Sequence, residues 1–482
     1  MASRTLRSDP RAIVALLAGT GRDDLAGYLT RQRWFAAKTR GIGAVAVADW
    51  GVLDADGPLL LLLLDVDDDR YYVPVTVATS ASLGDVIARS GDDAVVDAHD
   101  DPRFARRALA AMAAGRDVAG QAGRFGFRAT PGWAFPPDPD RVPAERHRGE
   151  QSNTSVMLGT RLVLKSLRRP QPGLNPDLEI ARFLTTRTAF REVPRLAGWV
   201  EYEGRGGTFS LAVLQEFVPN QGDGWKHVLA ALRQRGAAIE RASDPLLDEV
   251  QRLGATTGGL HAALASDPSA AEFAPEPVTR TDVERWADDI ARDLGGDDIQ
   301  RLLGDRRGRA AGPEGQRARV LAALSPLTAT VKIRVHGDYH LGQVLKTADG
   351  FVIIDFEGEP ARPLAERRRR QAALRDVAGM LRSLDYAVHA VGREAPEGER
   401  AARLAALTAW EDRARRAFLT GYRAAVSASG VPLVPAAEPA LLRACAAFEL
   451  EKACYELRYE LNNRPDWVAI PLAGITRILA AA

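Results

Sequence analysis

Cysteine is nearly absent: the 482 residues hold two, Cys445 and Cys454, both in one helix-like segment. Two such residues without metal-ligand spacing build neither a disulfide framework nor a zinc site, and a reducing compartment is the expectation. They read as small apolar residues of a helix. An excess of one charge is missing as well. Lys+Arg number 64 and Asp+Glu 63, a formal net charge of +1, which points to no nucleic acid or other polyanion as partner. The one local exception, Arg367-Arg368-Arg369-Arg370, reads as a solvated helix or loop face. The longest apolar stretch near the N-terminus, Leu59 to Leu64, is far shorter than the roughly 20 residues that span a bilayer. It reads instead as a buried strand. The N-terminus also lacks the basic-then-apolar layout of a signal peptide, so the expectation is a cytoplasmic protein with no membrane partner. Internal repeats, low-complexity tracts beyond alanine richness, and long linkers are missing too.

What is present is an ordinary globular composition, 46% hydrophobic and 26% charged, on a chain long enough for more than one packed unit. Residues from about 10 to 110 mix short helical patterns with strand-like runs at Ala44–Trp50, Pro58–Asp65 and Arg70–Val77, which predicts a small α+β unit. The proline- and charge-rich stretch Gly132–Arg148 reads as a connection. Thr154–Leu158 and Arg161–Leu167 predict a hairpin, Pro176–Thr185 a short helix, and Thr208–Val218 a closing strand. After Pro219 amphipathic helical periods dominate: Leu246–Leu264, Val283–Leu294, Gln316–Leu324, Leu374–Ala387, Ala401–Ser427 and Ala440–Asn462. The boundaries that follow are 1–110, 111–218 and 219–482, in an α+β fold.

One strand–loop–strand island, Ile333 to Glu359, interrupts the helical part. It contains Val335-His336-Gly337-Asp338-Tyr339-His340-Leu341-Gly342-Gln343 and then Phe351-Val352-Ile353-Ile354-Asp355-Phe356-Glu357-Gly358-Glu359. Phosphoryl transfer needs a carboxylate near the attacking hydroxyl and oxygen ligands for the metal that bridges the phosphates. Asp338 follows a glycine and suits a tight loop facing a cleft. Gln343 offers an amide oxygen to magnesium, and Asp355 ends an apolar strand that fixes its carboxylate. Each residue alone is weak evidence, since a single Asp after a strand more often caps or turns the chain. The ordered set carries the signal.

This set resembles the catalytic loop H-G-D-x-H-x-x-N/Q of the aminoglycoside-phosphotransferase-like branch of eukaryotic-type kinases. The resemblance implies Asp338 as catalytic base, Gln343 and Asp355 as metal ligands, and ATP with Mg2+ as cofactors. His340 belongs to the same loop on the substrate side, with a role in loop geometry rather than proton transfer. An upstream lysine for the phosphates is then expected, and Leu162-Val163-Leu164-Lys165 supplies one on an apolar strand. A lysine there is costly unless paired, and Glu179 on the following helix is the expected partner. Before it, Gly149-Glu150-Gln151-Ser152-Asn153-Thr154-Ser155 is a loop able to cover phosphates, although it lacks the G-x-G-x-x-G pattern. Ser152, Asn153 and Thr154 are its nucleotide-side candidates. Gln215-Glu216-Phe217-Val218 falls where an adenine-contacting hinge would run, which makes Glu216 and Val218 further candidates. Two departures stand out: Asp-Phe-Glu in place of Asp-Phe-Gly gives Glu357 a possible second metal or substrate contact, and Gln343 replaces the commoner Asn.

Distant blocks narrow the resemblance to the maltokinases. Arg33-Trp34-Phe35-Ala36-Ala37-Lys38 looks like their N-terminal signature, and Asp355-Phe356-Glu357-Gly358-Glu359-Pro360 continues the match. It runs on through Arg375-Asp376-Val377-Ala378-Gly379-Met380-Leu381-Arg382-Ser383 to Glu451-Lys452-Ala453-Cys454-Tyr455-Glu456-Leu457-Arg458-Tyr459-Glu460 and Asn463-Arg464-Pro465-Asp466-Trp467. The resemblance implies a bilobal kinase-like fold with an N-terminal α+β cap and a mostly helical C-lobe. It also implies transfer of the ATP γ-phosphoryl group to the anomeric hydroxyl of maltose, giving maltose 1-phosphate for α-glucan synthesis. Similar domains are fused to trehalose synthase in many bacteria; the 482 residues are too few to include that synthase, so the chain is expected to stand alone or to be an excised part, with association with the synthase a further expectation. Lys452, Tyr455 and Tyr459 share one helical face and offer the forked polar and flat apolar groups a sugar needs, although such a stripe also serves a core. Trp467 suits stacking on a sugar ring or packing, and Asp376 and Arg382 are expected to buttress the catalytic loop. A glucosamine or other sugar kinase is the alternative, because Glu359, Glu456 and Glu460 would suit an amino sugar. A regulatory pseudokinase is disfavoured by the presence of Asp338, Gln343, Asp355 and Lys165, and an antibiotic phosphotransferase by the terminal blocks.

Overall fold

The structure is a computed structural model that describes residues 6–36, 41–79, 85–149, 152–234, 244–304 and 312–481. It divides the chain into two compact units, Met1–Thr186 with Pro194–Val218, and Arg187–Val193 with Pro219–Ala482.

The first unit opens with α1 (Pro10–Ala18) and α2 (Arg22–Arg31), followed by β1 (Val45–Asp54), β2 (Leu59–Val66), β3 (Asp69–Tyr72), β4 (Val75–Thr79), β5 (Val86–Ser90) and β6 (Asp93–Asp97). These strands form one sheet in the order β1-β2-β4-β6-β5, with β3 on β2. The six leucines of β2 are buried on both faces. Leu59, Leu61 and Leu63 join one core with Phe104, Leu109 and Met112. Leu60, Leu62 and Leu64 join the other with Ile13, Leu17, Leu25 and Leu29. A strand covered on both sides is a continuous apolar run rather than an alternating one. The run expected over Arg70–Val77 is two strands, because Pro74 has no N–H for a ladder and breaks the pairing between them.

Helix α3 (Pro102–Ala113) starts at Asp101, whose side chain accepts from the Arg103 N–H, with Pro102 in the first turn. A second sheet follows, built from β7 (Asp117–Ala119), β8 (Arg124–Ala129), β9 (Ala144–Arg146), β10 (Thr154–Leu158), β11 (Leu162–Ser166), β12 (Leu196–Gly204) and β13 (Gly207–Glu216). Its order is β7-β8-β12-β13-β11-β10-β9, and α4 (Pro176–Arg187) lies between β11 and β12 in sequence. The β10–β11 hairpin pairs Thr154 with Ser166 and Ser155 with Lys165. That register puts Thr154 and Ser166 on one face and Ser155 and Lys165 on the other.

The second unit is helical, as the periodicity predicts. Its elements are α5 (Gly224–Gln234), α6 (Pro245–Leu264), β14 (Glu276–Pro277), α7 (Arg280–Leu294), α8 (Asp297–Leu303) and α9 (Pro313–Leu324), then β15 (Val331–Lys332), β16 (Val344–Lys346) and β17 (Phe351–Ile353). They continue with α10 (Leu364–Arg367), α11 (Leu374–Arg393), α12 (Glu397–Ser429), α13 (Glu438–Asn463) and α14 (Ala469–Ala481). Both cysteines are buried and unpaired in α13. No helix among the described residues is long and apolar enough to cross a membrane. Helix α11 is buried along almost its whole length and serves as the spine on which the loop from Val335 to Leu341 rests.

Candidate active site

The loop from Val335 to Leu341 lies against α11, and a carboxylate of that helix fixes its backbone. Asp376 accepts the His336 N–H at 2.7 Å and the Gly337 N–H at 3.0 Å. Gly337 adopts φ +84, a left-handed conformation that glycine enters without strain. Gly379, one turn further on, brings the helix so close to the Tyr339 carbonyl that a Cβ would stand 2.5 Å from its oxygen. Burial alone would raise the Asp376 carboxyl. Its bond to His261, with the loop N–H groups, outweighs that and holds it below the usual aspartate range.

His336 adds a second brace. Its Nε2 lies 2.9 Å from the Ile354 carbonyl and must donate to it, which leaves Nδ1 to accept from the Asp338 N–H at 3.4 Å. One imidazole thus ties the residue before Asp355 to Asp338 itself. The Tyr339 hydroxyl is 2.9 Å from that of Thr257, and Ser383 accepts the Leu341 N–H. His340 Nδ1 accepts the Gly342 N–H at 3.0 Å, which agrees with a role in loop geometry; burial pushes its pKa down.

Strands β16 and β17 pair Val344 with Ile353 and Lys346 with Phe351, so Gln343 and Asp355 flank one end of this two-stranded sheet. Gln343 Nε2 donates to Asp355 Oδ2 at 3.1 Å. Asp355 sits at φ +67, a conformation that disfavours a non-glycine residue by roughly 1–2 kcal/mol. Strain held at a carboxylate is a mark of a functional position. The hard oxygen donors of Gln343 and Asp355 fit Mg2+, which takes one or two protein carboxylates and leaves the rest to water and phosphate. Glu357 follows, with its carbonyl accepting from Arg367 at 2.9 Å.

From α13, Lys452 reaches this loop. Its Nζ lies 3.1 Å from Asp338 Oδ1 and 2.7 Å from Glu359 Oε1. Burial opposes the charge of Lys452, but Glu359 and Asp338 outweigh it and raise its pKa. Glu359 is buried as well, yet Lys452 and Arg362 hold its pKa below the ordinary value. Lys452 also lies over the Tyr455 ring at 4.7 Å. Beside these residues opens a cavity of about 350 Å³ lined by His340, Lys452, Tyr455, Tyr459, Tyr386 and Trp467, a volume suited to a small ligand. Asp338 itself lines a separate cavity of about 70 Å³, too small for one, and reaches the larger cavity through its ion partner Lys452. Asp223, Glu456 and Glu460 add carboxylates to the larger wall. Arg382 engages Glu456 at 2.8 Å and Arg464 engages Glu460 at 2.6 Å. Tyr459 is 46% exposed and Trp467 stacks on Tyr386 at 6.4 Å.

Two expectations are corrected in this unit. Arg382 does not buttress the catalytic loop; it is buried between Asp385 and Glu456 and joins α11 to α13. The Arg367–Arg370 run is not a solvated face. Arg367 lies against Gly358 and donates to the Glu357 carbonyl, and Arg370 donates to the Ala274 carbonyl at 2.6 Å. Loop carbonyls, which sequence spacing does not reveal, recruit both guanidinium groups.

In the first unit, Lys165 Nζ is 3.2 Å from Asp177 Oδ2, in the first turn of α4. Glu179, the expected partner, is buried on the same helix. Asn153 and Thr154 are buried, and Ser152 is exposed. Thr154 Oγ1 accepts from Arg168 Nε at 2.8 Å, on the hairpin face opposite Lys165. Ser155 shares the Lys165 face instead. Glu150 and Gln151 of the phosphate-loop candidate, and Ala37 and Lys38 of the N-terminal block, lie outside the described residues. Glu216 ends β13 with its N–H on the Arg195 carbonyl, and Val218 is the last residue before the chain enters the second unit.

Comparisons with known proteins place the chain among sugar kinases. Residues 28–101 match the maltokinase N-terminal cap domain. A glucosamine kinase from Streptacidiphilus jiangxiensis is 29% identical over 441 residues, 88% of this chain and 92% of that protein. A glucosamine kinase from Mycolicibacterium smegmatis is 31% identical over 339 residues, 68% of this chain and 78% of that protein. The chain belongs to this family of sugar kinases. A solved glucosamine kinase in complex with glucosamine, ADP and inorganic phosphate matches with a TM-score of 0.67 and 25% identity, covering 95% of this chain and 98% of that one. The sugar kinase therefore has an α+β, kinase-like fold with sheets in its N-terminal part and helices in its C-terminal part.

Three features of the structure are not announced by the sequence. Asp177 stands two residues before Glu179 and was equally placed on the helix. The ion pair between Lys452 and Asp338 joins residues 114 apart, a separation that no local pattern reports. Asp223 had no signal beyond being an acidic residue in a loop.

Proposed function

We propose that the protein phosphorylates a hydroxyl of an amino sugar, glucosamine, with ATP as donor. The observation that carries this reading is the acceptor-sized cavity lined by Lys452, the ion partner of Asp338, whose wall includes Asp223, Glu456 and Glu460. Arginines engage Glu456 and Glu460. Asp223 caps α5 through the Lys226 N–H at 2.7 Å, and its ion partner Lys226 is 78% exposed, so that pair is weak. Asp223 is thus the carboxylate for a sugar ammonium. The names of the two relatives favour the same substrate.

In this reading Asp338 accepts the proton of the attacking sugar hydroxyl as its oxygen bonds to the γ-phosphorus and the bond to the ADP oxygen breaks. Lys452 holds the base in place. Gln343 and Asp355 would hold Mg2+, which when bound neutralises charge on the phosphates. Lys165, tied to Asp177, is the phosphate-side cation, and Tyr455, Tyr459 and Trp467 supply the flat surfaces for the sugar. Maltose is the second reading, favoured by the match to the maltokinase cap and by the five aromatic rings of the cavity, Trp225, Tyr386, Tyr455, Tyr459 and Trp467.

The test is ADP release with Mg-ATP over a panel of glucosamine, glucose, maltose and N-acetylglucosamine, followed by NMR of the product. Glucosamine is expected to give the highest kcat/KM, and Asp223→Asn to raise its KM while leaving glucose turnover near wild type. Maltose turnover with glucosamine inert would reverse the assignment. Asp338→Asn is expected to lower kcat by about 10²-fold or more.

A further inference from the structure

The Arg33-Trp34 block lies far from the acceptor cavity in sequence and takes no part in the reaction derived above. In the first unit it lines a basin of about 550 Å³ with Arg31, Arg146, Arg148 and Thr154. Two aspartates, Asp85 and Asp100, share the wall. Asp100 is committed to Arg146 at 2.8 Å, and Asp85 receives Gln32 Nε2 at 3.4 Å. No ion pair among the described residues engages Arg31, Arg33 or Arg148, and all three are exposed. The basin therefore carries an excess of uncommitted guanidinium groups.

A second observation points to a ligand. Trp34 is 7% exposed, and its indole Nε1 is buried with no hydrogen-bond partner among the described residues. A buried donor without an acceptor costs about 1–3 kcal/mol, so its persistence at the wall of a cationic basin calls for an acceptor from outside. The face of the ring is already taken by Arg168, whose guanidinium stands 4.8 Å above it.

We propose that this basin binds a phosphate monoester on a small polar body, a sugar phosphate. Guanidinium groups recognise phosphate oxygens in paired hydrogen bonds, and Trp34 Nε1 supplies a further donor. Inorganic phosphate alone would leave most of the volume empty, whereas a phosphorylated monosaccharide suits a pocket of this size. Sugar phosphates are the class of product a sugar kinase releases, so the site senses that class. Its route to the nucleotide side is short. Thr154, on the basin wall, is bonded to Arg168 Nε, and its cross-strand partner Ser166 lies beside Lys165 in β11. Arg168 in turn joins Asp97, which also receives the Tyr28 hydroxyl at 2.6 Å and faces His99 Nδ1 at 2.7 Å. One face of the hairpin carries the basin and the other carries Lys165, so occupancy of the basin biases the strand that presents the lysine. Linkage then requires the nucleotide to bias the basin equally.

Isothermal titration of the full chain with glucose 6-phosphate, and separately with inorganic phosphate, tests the assignment. Glucose 6-phosphate is expected to bind more tightly than inorganic phosphate. The double variant Arg33→Ala/Arg148→Ala should weaken it about 10-fold or more, as expected for charged hydrogen bonds, and Trp34→Phe should weaken it several-fold by removing one donor. Lys165→Met should leave it unchanged. Equal binding of inorganic phosphate, indifference to the double variant, or loss in Lys165→Met would each overturn the proposal, as would the absence of binding. Both arginines are exposed, so a folding defect does not stand in for loss of the site.

Discussion

Lys452 Nζ bridges Asp338 Oδ1 at 3.1 Å and Glu359 Oε1 at 2.7 Å, so the proposed base is held by a cation from a helix 114 residues away. The side chains of the Lys452–Asp338 pair are 18% and 24% exposed, which places this bridge between a surface pair and a fully buried one. Lys452→Met keeps the stem and removes the charge. It is expected to destabilise by about 2 kcal/mol, below the 3–5 kcal/mol of a fully buried pair, and to lower kcat by about 10²-fold. Urea denaturation and steady-state kinetics measure the two effects separately. A stability loss with unchanged kcat would make Lys452 a packing residue only.

Glu359 gives the same cluster a pH signature. Lys452 and Arg362 outweigh burial and hold its folded pKa below the usual 4.5. A depressed carboxylate contributes stability that is present above the unfolded value and lost as pH falls through the folded one. Glu359→Gln should therefore destabilise at pH 7, and the gap from wild type should narrow below about pH 4.5. Thermal melts across that range decide it. A gap of constant size would mean that the carboxylate contributes through shape rather than charge.

Asp376 is the anchor of the catalytic loop, taking the N–H groups of His336 and Gly337 and facing His261 Nε2 at 3.0 Å. Asp376→Asn retains one acceptor oxygen and turns the other into a donor that clashes with an N–H. Losing a buried charged hydrogen bond costs about 1.5–3 kcal/mol. Because the displaced backbone carries Asp338, kcat is expected to fall about 10–100-fold, with the sugar KM changed far less. Equal losses in 1/KM and kcat would place Asp376 at the sugar rather than behind the base.

The parts of this architecture that follow local periodicity were legible before the structure. The helices from Leu246 to Asn462, the β10–β11 hairpin and the island around Asp338 and Asp355 all rest on patterns a few residues long. The leucine run of β2 was legible as a buried strand, but not as the divider of two cores. What stayed hidden depends on tertiary meeting. The side of a hairpin on which Thr154 falls is set by register against Ser166, and a one-residue shift moves every side chain to the other face. The partners of Arg367 and Arg370 are main-chain carbonyls, which every sequence offers everywhere. In the proposed reading the choice between amino sugar and disaccharide rests on Asp223, the residue before α5, whose place at the cavity no local pattern reports.

Within the helical unit, Glu411 of α12 is fully buried among Asp385 and Arg382 of α11, Arg415 of its own helix and Arg477 of α14, with Glu449 of α13 on Arg415. Burial, then Asp385, outweighs the three arginines and pushes its carboxyl up to about 7. A carboxyl raised above its unfolded value contributes stability that is complete below about pH 4.5 and lost as pH rises through about 7. Glu411→Gln holds the shape of the protonated form at every pH. The variant should match wild type at pH 5 and exceed it at pH 8 by on the order of 2 kcal/mol. Since Arg382 connects this cluster to Glu456, the variant should also flatten any change in the sugar KM between those values. Urea denaturation at the two pH values is the measurement. A variant weaker than wild type at pH 8 would show that Glu411 is an ionised partner of Arg415 and Arg477, not a carboxyl held neutral by burial.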